Sequence, residues 1–160
     1  MRRFACLVLV AFTAASGCAT DAMRLPSVGL PGFPGSQQVT DEEQIALILD
    51  EVQRGMEGRR IYRVLSHVSR GYEDDEGRDY EAMTAYLNDL FERYRNIRIR
   101  RARPVVQVQG NRAQAVETFG TSADPVDPER DIAIRLQGQV TVYFEKVGDR
   151  WYIREWGRLL

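Results

Sequence analysis

The residues of this chain that are equipped for chemistry are few, and they crowd into one stretch. Glu73, Asp74, Asp75, Glu76 and Asp79 form an acidic run just after His67, the only histidine. A carboxylate held in an apolar pocket can serve as a general base, and a histidine beside it as an acid–base partner. A divalent cation is the other chemistry such a run suggests. It lacks, however, the Asp-x-Asp-x-Asp-Gly spacing and the later glutamate of a calcium loop. As a plain solvated loop, the same charges would favour the N-terminus of a helix that follows. A single histidine rules out a histidine-rich zinc site. Ser66 and Ser69 flank it without the strand–turn–helix elbow of a nucleophile. No metal and no cofactor is expected.

Six arginines, Arg93, Arg95, Arg98, Arg100, Arg101 and Arg103, follow closely on one another. On a strand, Arg98 and Arg100 share the face opposite Ile97 and Ile99. That face suits an anionic partner, such as phospholipid headgroups or lipopolysaccharide, or pairing with the chain's own carboxylates. No aromatics interleave with the arginines, and the formal net charge of −1 gives no global pull toward nucleic acid, so none is expected as a partner. Tyr62, Tyr86, Tyr143, Trp151 and Trp156 are candidates for the lining of a small-ligand pocket and, equally, for core packing.

The start of the chain reads as an address. Arg2 and Arg3 precede a twelve-residue apolar stretch, Phe4–Ala15, and small residues lead to Cys18. A bilayer core needs about twenty apolar residues, so this stretch describes an export signal and not a span. Ala15-Ser16-Gly17-Cys18 resembles the lipobox of bacterial lipoproteins, with Ala where that family usually has Leu. The resemblance implies cleavage before Cys18, acylation of that cysteine, and, with Ala19 next, sorting to the outer membrane with the domain facing the periplasm. Several acyl chains anchor stably where one does not. With Cys6 in the removed signal and Cys18 acylated, no thiol is left for nucleophilic or redox chemistry. Pro26, Pro31 and Pro34 with Gly29, Gly32 and Gly35 mark residues 18–39 as a tether.

The elements that must position the candidate residues begin at Thr40. Thr40 and Glu43 form a capping box, and Ile45, Ile48, Leu49, Val52 and Met56 recur at helical spacing up to Gly58. A second helical pattern carries Ile61, Val64, Leu65 and Val68 and breaks at Gly71. A third, capped by Asp79, presents Met83, Tyr86, Leu87, Leu90, Phe91 and Tyr94, with Asn96 as its terminator. From Ile97 the period falls to two, interrupted at Arg101–Pro104, where Pro104 marks an edge or a bulge. Gly110-Asn111 signals a hairpin, residues 122–130 a loop and Gly148-Asp149 another turn. The order predicts an α+β domain over residues 40–160, with three N-terminal helices packed on a curved antiparallel sheet of about four strands.

That order, the segment Leu65–Phe91 and the closing Trp151–Trp156 strand resemble the nuclear transport factor 2-like superfamily, including its SnoaL-like domains. The resemblance implies a cone, a bent sheet wrapped on a long first helix. In the ketosteroid isomerase branch a loop aspartate shuttles the proton, and Asp74 occupies the corresponding place here, with Asp75 where that branch has proline. The oxyanion-donor tyrosine which that branch carries on the first helix has no counterpart between Asp41 and Glu57. The leading expectation is therefore an envelope lipoprotein whose domain binds a small ligand or a protein without catalysis. One alternative is a lyase, isomerase or hydrolase using Asp74 with His67 or a tyrosine. The other is a subunit that docks a second copy or an envelope protein through its open sheet face.

Overall fold

The structure, a computed structural model, describes residues 39–160. The expected signal, Cys18 and the tether up to residue 38 lie outside the described residues. Helix α1, Asp41–Glu57, starts as the capping box requires: Glu43 N–H donates to Thr40 Oγ1 and Thr40 N–H to Glu43 Oε2, at 3.2 and 2.9 Å. Gly58 caps its other end. Helix α2 is only Ile61–Leu65, and α3 is Tyr80–Arg93, whose N-cap Asp79 accepts from Ala82 N–H at 2.8 Å.

Five strands follow: β1 Tyr94–Arg101, β2 Val105–Gln109, β3 Arg112–Pro125, β4 Ile134–Val147 and β5 Arg150–Trp156. All pair antiparallel in the order β1-β3-β4-β5. β2 joins the first half of β3, Val105 opposite Val116, while β1 joins the second half, Arg101 opposite Phe119. The two short strands thus lie end to end in one lane, parted at Ala102–Pro104, where proline offers no ladder donor. The sheet therefore holds five strands but is four lanes wide, and three helices attend it.

Alternation sorts the sheet into two faces. Ala113 and Ala115 of β3, Val140, Val142 and Phe144 of β4 and Ile153 of β5 are buried against Ile45, Leu49 and Val52 of α1. A smaller cluster of Phe91, Tyr94, Ile97 and Ala123 seals the α3–β1 corner. Helix α1 also covers the free edge of β1. Gln53 Nε2 donates to Ile99 O, and Ile99 N–H donates to Glu57 Oε1, each at 2.8 Å. An edge strand so covered cannot recruit a foreign strand at that point.

Tertiary pairing overrode four local signals. The second helix stops at Leu65, and Val68 leaves it to bridge Ile153. Asn96 does not end α3. It sits inside β1 with φ of 55°, at the irregularity between Arg95 and Arg98, a conformation asparagine tolerates. Ser122–Pro125 belong to β3 and not to a loop, because Ala123 pairs with Ile134 and Pro125 with Tyr94. Ile132, which alternation would put in β4, is 85 % exposed before that strand begins.

Residues 157–160 return along β4. Gly157 N–H donates to Thr141 O at 2.9 Å and Leu160 N–H to Gln139 O at 2.8 Å. Gly138 is what lets them approach: a Cβ there would lie 2.7 Å from Leu159 Cδ1 and 2.8 Å from Leu160 O.

Candidate functional site

The loop between α2 and α3 is built around the Asp74 carboxylate. Oδ1 accepts the backbone N–H of Glu76 at 3.1 Å and of Arg78 at 2.9 Å. Oδ2 accepts Tyr72 Oη–H at 3.1 Å and Arg78 Nε–H at 2.8 Å. An ionised carboxylate has about four acceptor sites, so these four bonds fill it. Gly77, at φ of 76°, closes the turn by donating to Asp74 O, and Asp74 N–H returns to Arg78 O. Its side chain is fully buried. Burial pushes its pKa up, but the side-chain and backbone bonds from Arg78 and the guanidinium charge outweigh this and hold it below the ordinary carboxylate value. In the same pocket of charge, burial and the Asp74 anion push the Tyr72 phenol well up, so it stays a donor.

His67 stands elsewhere. It is half-buried, with Glu51 of α1 and Arg150 of β5 as its charged neighbours, and burial lowers its pKa. Asp74 is bound to Tyr72 and Arg78 instead, so the structure does not bring the two acid–base candidates together. The five aromatic candidates are also dispersed. Tyr62 is 85 % exposed on α2, Tyr86 lies beside Arg78 on α3, and Tyr143 is exposed on β4 in a depression with Glu73 and Arg154. Trp151 is buried in the core, its Nε1–H donating to Asp41 Oδ1 at 2.9 Å, and Trp156 packs at the core's margin.

Sequence reasoning missed a polar cluster inside the cone. Glu117 continues the inward alternation of Ala113 and Ala115 and is buried. Arg101, inward like Ile97 and Ile99, meets it at 2.5 Å, takes Gln53 Oε1 through Nε at 2.8 Å and pairs with Asp50 of α1. Burial raises the Glu117 pKa in spite of Arg101. The signal was present in the period of two counted from Ala113, which puts a glutamate on the apolar face. Arg101 thus ties β1 to β3 through Glu117 and to α1 through Gln53 and Asp50.

The other arginines of the run divide by face. Arg93 is held by Asp131 and Asp89, at 2.5 and 3.0 Å. Arg95, Arg98, Arg100 and Arg103 are exposed and make no ion pair with another described residue. The ladder sets Arg98 beside Ser122 and Arg135, and Arg100 beside Gly120 and Gln137. Together with the intervening row Ile99, Thr121 and Leu136 and with Glu57 of α1, these six residues, three of them cationic, line an open groove of about 790 Å³. Its floor is Gly120, where an added Cβ would meet nothing nearer than 3.8 Å.

No family model matches the sequence, and no curated protein is similar to it. Solved structures do match. A proposed scytalone dehydratase from Novosphingobium aromaticivorans superposes with a TM-score of 0.64 at 12 % identity, over 73 % of this chain and 82 % of that one. A nuclear transport factor 2-like superfamily protein from Salmonella enterica gives 0.60 at 14 %, over 72 % and 87 %. A type 2 hexachlorocyclohexane dehydrochlorinase gives 0.61 at 14 %, over 71 % and 80 %. At such identities the likeness speaks for architecture and not for chemistry. The described domain therefore has the nuclear transport factor 2-like fold, a curled antiparallel sheet closed by helices.

Proposed function

We propose that this protein is a lipoprotein of the bacterial envelope, acylated on Cys18 and held in the outer membrane, whose domain binds a ligand or partner in the periplasm without catalysis. The observation that carries the non-catalytic part is the filled acceptor shell of Asp74. A general base needs a free lone pair and a pKa near the working pH, and Asp74 has four bonds and a lowered pKa. Glu51 acts on His67 only as a nearby charge, with no hydrogen bond between them. The lyase, isomerase or hydrolase alternative draws support from the dehydrochlorinase-like architecture, yet it would require breaking the Arg78 bonds to free Asp74. The docking alternative draws on Val105 and Tyr143, exposed on the outer face, where the ladder sets Val116 with the polar Gln107, Gln114 and Thr141 around them.

Metabolic labelling with palmitate, followed by membrane fractionation of the wild type and Cys18→Ser, tests the anchor. The expected result is label and membrane retention in the wild type and neither in the variant. Unlabelled wild-type protein in the soluble fraction would overturn the lipoprotein reading.

A further inference from the structure

We infer that the groove over Gly120 is a binding site for the phosphodiester headgroup of an anionic phospholipid. Three guanidinium groups, Arg98, Arg100 and Arg135, border it, and Ser122 and Gln137 add a hydroxyl and an amide that can donate. Guanidinium is the side chain that best matches phosphate oxygens, because its donors form a planar fork. Asp124 is paired with Arg135 at 2.9 Å and bonded by Asn96 at 3.1 Å, so the unpaired cations are Arg98 and Arg100, while Glu57, at the rim, accepts Ile99 N–H and keeps its charge. The Arg98 guanidinium has only the carbonyl of Ile97, at 3.2 Å, and the Arg100 guanidinium has no hydrogen bond to another described residue. Cationic capacity is therefore left over where the strand has a floor without a side chain. The groove, about 790 Å³ and open to solvent, offers more room than a bare phosphate needs.

The inference rests on the anchored reading in one respect: a domain tethered to a bilayer meets headgroups at high local concentration. An arginine near an anionic membrane surface strengthens attachment about fivefold. Arg98 and Arg100 together would then align the outer sheet face with the leaflet that holds the lipid anchor.

The test uses the full chain in uncharged detergent micelles, titrated with glycerophosphoglycerol, the deacylated headgroup of phosphatidylglycerol, and followed by amide chemical shifts. Saturable shifts at Arg98, Gly120 and Gln137 are expected. Arg98→Gln with Arg100→Gln should weaken binding at least tenfold. Gly120→Val suits a strand and keeps every charge, but it fills the floor and should abolish binding. Binding that survives Gly120→Val would show diffuse attraction to the arginines and overturn the site. Equal affinity for inorganic phosphate, or for glycerophosphocholine, would overturn its assignment to an anionic headgroup, as would no saturable binding at all. Failure of this titration with Cys18 still acylated sinks the groove alone. Loss of acylation with the titration intact sinks the anchor alone.

Discussion

Asp74 and Arg78 are joined three times: Arg78 N–H to Asp74 Oδ1 at 2.9 Å, Arg78 Nε–H to Oδ2 at 2.8 Å, and Asp74 N–H to Arg78 O at 3.1 Å. Side chain and main chain thus close the same turn. Asp74 is the knot of the loop that leads into α3.

Asp74→Asn should therefore destabilise the domain by about 2–3 kcal/mol, the usual worth of buried hydrogen bonds to a charged group once the partly exposed Arg78 is discounted. Urea unfolding followed by circular dichroism measures it. A change under about 0.5 kcal/mol, as for an ordinary surface substitution, would show that the carboxylate is not structural.

The same pair sets a pH dependence. The folded state lowers the Asp74 pKa below its ordinary 3.8, so the folded chain binds fewer protons there than the unfolded one. The stability this confers is complete above that ordinary value and is lost as pH falls through the folded value. As pH falls below 3.8, Asp74→Asn should show a shallower fall in stability than the wild type. Parallel curves for the two would contradict the assignment.

Arg101→Met should cost about 3–5 kcal/mol at neutral pH, because it leaves Glu117 buried without its cation. The loss should shrink on acidification, since burial raises the Glu117 pKa and protonation removes the unpaired charge. Combining it with Glu117→Leu should restore most of the stability. Additive losses in the double variant, read from chemical denaturation, would mean that the two residues do not act as a pair.

Gly138→Ala places a methyl group 2.7 Å from Leu159 Cδ1 and 2.8 Å from Leu160 O. Residues 157–160 should release from β4, raising amide exchange at Leu160 and Gln139, at a cost of about 1–3 kcal/mol for the overpacked strand. Unchanged protection at those amides would contradict the close approach.

Much of this fold was readable because local and global preferences agree. The Thr40–Glu43 box, the apolar stripe from Ile45, the Asp79 cap and the Gly110-Asn111 turn each stand where the sequence puts them. The errors arose where pairing across the sheet decides. Ser122–Pro125 look like a loop until β1 and β4 flank them, and Asn96 looks like a helix end until β1 needs an irregularity. The site was less legible for the same reason. Whether Asp74 is a base or a knot depends on Tyr72 and Arg78 converging on it, and whether Arg101 is surface or core depends on Glu117 and Asp50. Spacing along the chain records neither.

The ionisation of Asp74 can be read directly. A titration of the side-chain carboxyl carbon by NMR should give a midpoint below 3.8, with the shift lost when Arg78→Gln removes the guanidinium. A midpoint near neutrality would make Asp74 a working acid–base group and return the domain to the enzymes.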